Sequence, residues 1–390
     1  MASCAHWWRA PPQYAGVASE ALHALMARLP RLPTTLVGSM VQPEWLIDRQ
    51  GLSHRAPPRV RAQELWRVAP QWLCCAQDDA TQLAIHLQQR LGLDVVGDGE
   101  IRRESYSCTF VNELVGIDRA HLGSVLDRRN KPSAVPRVVA PVQWQKPVFT
   151  HDVTWLRRCY AGPVKMTLPG PFTLSQLSQD EHYGDPRALG LAFAKAVNAE
   201  IAFLHAAGVD IVQLDEPYLE ARPEAAREFG VELINRALQG IAGVTALHLC
   251  FGYGPIDRNV AKPNRYRFLA ELEDTVVDIV SVEAAQPRLD LAELRVLPTK
   301  TVMLGVLDLG TTRVETVEEI CARIAAALDH VAPERLILAP DCGLKYLPPA
   351  SAEGKLAAMV AAAQRMRRRL DAKSLPLDNA ENLGYRFNDH

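Results

Sequence analysis

The 390 residues suffice for one large domain or two ordinary ones, and 48% hydrophobic with 23% charged residues is ordinary globular composition. A formal net charge of −2 gives no electrostatic footing for nucleic acid or an anionic membrane, so neither is expected as a partner. No apolar run approaches the roughly 18 residues that span a bilayer, and residues 1–30 carry no signal-peptide core, so a soluble, cytoplasmic protein is expected. The eight cysteines lack the short regular spacing of a disulfide framework.

Residues 1–30 read as an N-terminal extension with one helix, Ala18 to Leu29. Thr34 to Ser39 is a short β-branched run that ends in Gly38-Ser39, and a helical segment follows from about Arg59 to Leu91. Leu93 to Glu100 is a strand ending in glycines and acids. Residues 115–160 are irregular, with a hairpin expected around Val138 to Val148. Strands are then expected at Pro163–Leu168, Val209–Asp215, Val244–Leu249, Asp278–Glu283, Thr301–Val306 and Leu336–Cys342. Helical stretches separate most of them: Pro186–Ala207, Glu224–Gly240, Arg267–Leu272, Leu291–Val296 and Glu315–His330. Ser351 to Leu370 is the last long helix, and 371–390 reads as a polar tail.

Short apolar strands alternating with helices imply parallel βαβ units, and eight of them point to a (β/α)8 TIM barrel over residues 31–370. In a barrel the strand ends gather at the C-terminal face, where sites are built. Those ends carry Ser39, Glu100, Asp215, His248, Cys250, Glu283 and Cys342. His248 and Cys250 are two apart, so on a strand they point the same way. With Cys342 and Glu283 from two further strand ends they form a donor set that suits Zn²⁺. The alternative is a buried thiol beside a hydrogen-bonded core histidine. No G-x-G-x-x-G or Walker-type loop supports nucleotide binding.

The segments Val37-Gly38-Ser39, Asp98-Gly99-Glu100, Gly170-Pro171-Phe172-Thr173, Leu214-Asp215-Glu216-Pro217, His248-Leu249-Cys250, Ser281-Val282-Glu283 and Pro340-Asp341-Cys342-Gly343-Leu344-Lys345 together resemble the catalytic half of cobalamin-independent methionine synthase. The resemblance covers about residues 32 to 368, without the family's long N-terminal half. It implies a zinc-bearing barrel related to the uroporphyrinogen-decarboxylase and methionine-synthase folds, with His248, Cys250, Glu283 and Cys342 as zinc ligands. It further implies a zinc-dependent transfer of a methyl group to the thiol of homocysteine, whose amino-acid part would contact Ser39, Glu100 and Asp215. Two carboxylates facing a substrate ammonium would be charge-assisted pairing in a partly dry cleft.

Three departures lie on the methyl-donor side. Leu177 stands where the family has a tryptophan that packs on folate, Gly310 where it has a histidine, and Ala221 where it has an acid, with Glu220 adjacent. They imply a donor other than the family's usual methyl-folate, with a methylated corrinoid or corrinoid protein as the candidate. An alternative in the same superfamily, epoxyalkane:coenzyme M transferase, joins a sulfonated thiol to an epoxide; Arg102, Arg103 and Lys345 would be available to its sulfonate. A third reading is an inactive barrel serving as a thiol-binding scaffold. His182, Tyr183, Tyr106 and Tyr253 are further candidates for substrate contact. The tryptophans and the basic run Arg367-Arg368-Arg369 read as packing groups and a solvated helix end.

Overall fold

Ile211-Val212-Gln213-Leu214-Asp215 is buried at every position, which is what a strand covered on both faces requires. The same holds for its neighbours, and the computed structural model arranges them as a barrel; it describes residues 19–53, 57–128, 130–252 and 261–374. Trp7, Trp8, Tyr253 and the tail beyond 374 lie outside the described residues. The strands in chain order are β1 (Val96–Gly97), β2 (Val115–Leu126), β3 (Pro132–Gln143), β4 (Val164–Pro169), β5 (Gln179–Asp180), β6 (Ile211–Asp215), β7 (Val244–Leu249), β8 (Ile279–Val282), β9 (Thr301–Gly305) and β10 (Leu336–Ala339).

One parallel sheet runs β1-β4-β6-β7-β8-β9-β10. The segment expected as the first strand closes it. Thr35 N donates to Leu338 O at 3.0 Å and Leu338 N to Pro33 O at 2.8 Å on one side, and Val95 N donates to Thr34 O at 3.0 Å on the other. Only Thr34 makes a regular bridge, because Pro33 has no N–H to extend the ladder. The eight staves therefore close into a TIM-like barrel, as the sequence led one to expect.

Side chains two apart climb the barrel wall. Ile211, Val244 and Ile279 lie low, in an apolar cluster with Val37, Val95, Met303 and Ile337 that reaches up to Ala246 and Ala339. Two positions up each strand stand Gln213, Ala246 and Ser281, and two further stand Asp215, His248 and Glu283. The helix Glu20–Arg28 adds Leu22 and Leu25 to the low layer. Ser19 caps that helix by accepting from Leu22 N at 3.2 Å and donates its own N–H to Asp278. At the upper end, Gly305 has no room for a side chain, because a Cβ would meet Asp341 Oδ1 and stand 2.9 Å from Val282 O.

Several elements differ from expectation. The hairpin is β2–β3, a stretch earlier and much longer than Val138 to Val148, with β5 alongside β3. Its turn lies between Asp127 and Lys131, closed by Asp127 N to Lys131 O at 2.8 Å, with Asn130 at φ +55°. The strand β2 is mostly exposed, so no apolar alternation announces it. The helix expected from Arg59 starts at Pro70, where proline's fixed φ suits a first turn and disfavours helix before it. Ala270–Asp274 and Leu291–Val296 are 3₁₀ turns, and the last helix runs Pro349–Ser374, past Leu370. The helix Pro186–Ala206 is long and apolar enough to cross a membrane, but Leu189, Phe193, Val197, Ile201 and Leu204 are buried in the protein core.

Leu25 is buried in the low layer, far from any polar group of the upper end. Replacing Leu25 by Ala is expected to lower unfolding free energy by about 2–4 kcal/mol, read as a shifted denaturant midpoint at unchanged slope.

Candidate functional site

β7 ends at Leu249, and its inward face carries His248 at the top. His248 Nδ1 lies 2.9 Å from Ser281 Oγ on β8, which fixes the ring plane. Its Nε2 is buried without a hydrogen-bond partner. Cys250, just past β7, and Cys342, just past β10, bring their sulfurs to this ring: the ligand atoms of His248, Cys250 and Cys342 lie within 4.8 Å of one another, and all three residues are buried. Hydrogen bonding from Cys342 and the nearby imidazole of His248 hold Cys250 well below the ordinary thiol range, although burial opposes this. The same Cys250 sulfur, together with burial, pushes the Cys342 thiol up. Burial opposes charge on His248, but the charge of Cys250 outweighs it and raises that group. Two cysteine sulfurs close to one another and to an imidazole form a donor set that could hold a borderline-soft divalent cation.

Glu283 is not part of that cluster. Its carboxylate accepts from Phe251 N at 3.0 Å and pairs with Lys262, whose ammonium also donates to Gly252 O at 2.9 Å. Burial drives the Glu283 carboxyl up to about 7, against the pull of Lys262. Tyr266 fixes the backbone here, accepting from Glu283 N at 2.8 Å and donating to Leu249 O at 3.2 Å. Asp341 does the same for the turn after Glu283, accepting from the amides of Ala284, Ala285 and Gln286.

Ser39, Glu100 and Asp215 do come together with the thiols. All line a single cleft, about 750 Å³ when the space open to solvent is counted, with His248, Cys250, Cys342, Tyr106 and Tyr218. Ser39 Oγ, Glu100 Oε2 and Tyr218 OH are buried there without hydrogen-bond partners. Glu100 sits at φ +52°, a left-handed conformation that costs about 1–3 kcal/mol for a side chain of this kind. Its amide donates to Asp98 Oδ1 at 3.1 Å, and its Oε1 accepts from Thr167 Oγ1 at 2.9 Å. Gly38 leaves room for that carboxylate, since a Cβ would collide with Oε1. Asp215 Oδ1 accepts from Gln213 Nε2 at 2.7 Å. Burial, then the charge of Glu100, lifts Asp215 to about 7.

The basic residues considered for a sulfonate are committed elsewhere. Arg103 is fully buried and pairs with Asp98 at 3.0 Å, and Lys345 donates to the carbonyls of Arg103 and Glu104. Arg102 stands among Cys74, Asp78 and His151, its guanidinium pairing with Asp78 and lying 2.6 Å from His151 Nε2. That second group of possible ligand atoms therefore already surrounds a cation. Tyr183 OH accepts from Val142 N at 2.9 Å, and the His182 ring packs edge-on against Tyr183. Neither lines the cleft, whereas Tyr106 does.

Some cleft residues escaped the sequence reading. Arg128 at the tip of the β2–β3 hairpin reaches the carbonyls of Pro217 and Cys250 at 3.4 and 3.3 Å. Arg59 donates to Tyr106 OH at 3.1 Å, and Asp127 and Tyr218 complete the wall. The only signal for the hairpin arginine was the Asp-Arg-Arg-Asn-Lys-Pro turn chemistry from Asp127 to Pro132.

A closed parallel barrel with a His/Cys/Cys cluster and two carboxylates in one cleft at its C-terminal face defines the class, a (β/α)8-barrel enzyme. Within that class, residues 74–365 match the family model described as "Cobalamin-independent synthase, Catalytic domain", and the chain belongs to this family of methyltransferases. A methionine synthase from Saccharolobus solfataricus is 29% identical over 90% of this chain and 100% of its own length. One from Saccharolobus islandicus (strain Y.G.57.14) is 31% identical over the same shares. The solved B12-independent methionine synthase from Shewanella sp. W3-18-1, in complex with selenomethionine, is 32% identical, with a TM-score of 0.80 over 88% of this chain and 99% of that one. This membership corrects one expectation: a corrinoid or corrinoid-protein donor finds no support, because the family is cobalamin-independent.

Asp215 ionises near pH 7 in the fold, above its ordinary value, so its negative charge is present above that pH and is lost as pH falls through it. A ligand that places an ammonium there is expected to bind more weakly from pH 8 to pH 6, approaching tenfold per unit. Calorimetric titration with homocysteine and with its des-amino analogue checks this; equal pH slopes for the two would contradict it.

Proposed function

We propose that this chain is a zinc-dependent S-methyltransferase that converts homocysteine to methionine in the cytoplasm, using a donor other than the family's usual methyl-folate. The observation that carries the reading is one cleft holding His248, Cys250 and Cys342 together with Glu100 and Asp215. A thiol with an amino-acid end needs those two environments, one soft and one anionic. The selenomethionine bound to the Shewanella relative supports the same polarity of ligand. Free thiols at every described cysteine agree with a cytoplasmic location.

In this reading Glu100 and Asp215 receive the substrate ammonium, and Ser39 Oγ, otherwise unpartnered, meets the amino-acid head group. His248, Cys250 and Cys342 would hold the zinc, and Glu283, whose carboxylate accepts from Phe251 N, would offer a fourth, oxygen donor. A free thiol is only a few per cent ionised at neutral pH, and bound zinc would supply an ionised, positioned sulfur. Ser281 keeps His248 oriented for this, and Lys262 provides a counter-charge for Glu283 whenever its carboxylate is not engaged. The thiolate's electron pair forms the new S–CH₃ bond, and the donor keeps the electrons of the bond that breaks. Tyr106, Tyr218 and Arg128 offer the donor two aromatic faces and a cation.

The donor part of the proposal rests on where the departures fall. Leu177 is buried in the core, and Gly310 sits in a turn where its amide donates to Asp308 Oδ1 at 2.8 Å. Glu220 accepts from the amides of Arg267 and Phe268. None of Leu177, Gly310 and Ala221 lines the cleft, nor does Glu220. The coenzyme M reading is disfavoured by the commitments of Arg102, Arg103 and Lys345 described above. A scaffold role has no feature of the cleft in its favour.

Purified protein is expected to carry one zinc per chain, and Cys250→Ala or Cys342→Ala to lose it together with at least about a hundredfold of methionine formation. Full turnover by metal-free protein would overturn the zinc reading. Turnover with methyl-folate at the rate of the best donor would overturn the donor reading alone.

A further inference from the structure

We propose that Lys165 and Arg103 are positioning residues of the amino-acid pocket: each holds one of its two carboxylates through a single neutral side chain, and together they set selectivity for a thiol bearing a primary ammonium. This rests on the proposed reading of the cleft as a homocysteine site and goes beyond it in naming what makes the anionic end selective.

The first relay runs up the barrel interior. Lys165 on β4 is buried, and its ammonium donates to Val37 O and, at 2.7 Å, to Gln213 Oε1 on β6. An ammonium has only donors, so the amide oxygen must face it. The orientation of Gln213 is thereby settled, and its NH₂ is left to donate to Val37 O at 3.0 Å and to Asp215 Oδ1 at 2.7 Å. Reversing the amide would set NH₂ against NH₃⁺ and oxygen against carboxylate, so Lys165 dictates what Asp215 receives.

The second relay has the same logic. Arg103 is fully buried; its Nη1 donates to Thr167 O at 2.9 Å and to Thr167 Oγ1 at 3.1 Å, and its Nη2 pairs with Asp98 at 3.0 Å. A guanidinium also has no acceptor, so the Thr167 hydroxyl accepts from it and turns its own hydrogen to Glu100 Oε1, 2.9 Å away. Each carboxylate is thus held on one oxygen from below. Glu100 Oε2 is left buried and unpartnered in the cleft, the position from which it would accept from a ligand.

Charge gives the relays their purpose. Two carboxylates in one buried pocket repel, and without compensation one of them would take a proton and stop attracting an ammonium. Lys165 faces Asp215, Glu100 and Asp98, and burial lowers it only to about 8, so it stays charged at neutral pH. Burial works against Arg103 too, but Asp98, Glu100, Asp152 and Asp215 outweigh it. If Lys165 served only to fill the barrel, an apolar side chain of similar length would do so without the cost of burying a charge.

The test uses the full-length, zinc-loaded chain and two thiols, homocysteine and γ-mercaptobutyrate, which keeps the thiol and carboxylate but lacks the amine. Wild type is expected to prefer homocysteine. In Lys165→Met the Kd for homocysteine, read by calorimetric titration, rises about tenfold or more, and the preference over γ-mercaptobutyrate collapses at unchanged zinc content. Thr167→Val is expected to act the same way through Glu100, and Thr167→Ser, which keeps the hydroxyl, to restore the preference; this pair decides the matter if Lys165→Met does not fold. If wild type prefers homocysteine and both Lys165→Met and Thr167→Val keep that preference, the inference is overturned and the homocysteine reading stands. If wild type does not distinguish the two thiols, the reading of the cleft fails and the inference with it.

Discussion

Burying two carboxylates side by side is the constraint around which the upper half of this barrel is arranged. Glu100 and Asp215 lie in one cleft, and burial and mutual repulsion raise Asp215 to about 7. Asp98 and Asp152 add further negative charge close by, and burial pushes Asp152 up to about 6. Isolated, such groups would neutralise by taking up protons. Arg103 and Lys165 limit that from inside the wall, and a substrate ammonium would add a third cation from the cleft side. An ammonium placed between Glu100 and Asp215 would offset negative charge that the two wall cations leave uncompensated, which is a way of making affinity depend on one functional group.

The barrel separates this chemistry from its stability. The low layer is wholly apolar, from Leu22 and Leu25 to Met303 and Ile337, and supplies hydrophobic burial without polar obligations. Two residues above Ile211 and Ile279 stand the polar Gln213 and Ser281, and two higher again Asp215 and Glu283 belong to the upper end. A rigid, dry base allows the upper layer to hold unpartnered atoms such as His248 Nε2, Ser39 Oγ and Glu100 Oε2, each a cost to folding and each directed at a ligand.

The strands, the barrel and the meeting of His248, Cys250 and Cys342 were legible from the chain because each depends on a local pattern. An apolar run ending in glycine marks a strand end, and a barrel brings strand ends together whatever their sequence separation. The placement of Ser39, Glu100 and Asp215 around one cleft followed from the same rule. What escaped depends on partners distant in sequence. Nothing near Arg102 announces Asp78 or His151, and nothing near Lys345 announces the carbonyls of Arg103 and Glu104, so three residues that looked available to a ligand are not. Glu283 was expected as a ligand alongside the thiols; what its sequence neighbourhood did not announce is its pairing with Lys262, from a loop whose course no periodicity reveals. The β2–β3 hairpin was misplaced because its exposed strand lacks an apolar face, although its tip delivers Arg128 to the site.

The backbone at Glu100 shows how the two halves of the design meet. A non-glycine residue at φ +52° persists only where its surroundings overdetermine it. Here Asp98 takes its amide, Arg103 N donates back to its carbonyl at 3.0 Å, and the bare Cα of Gly38 leaves the space its carboxylate fills. Relaxing the strain by moving Glu100 into an extended conformation would swing that carboxylate away from Thr167 and break the relay from Arg103. The strained turn, the missing side chain at Gly38 and the buried arginine are then parts of a single device, and the conformational cost at Glu100 is offset by the one arrangement in which a carboxylate can face the cleft while held from behind by a cation it does not touch.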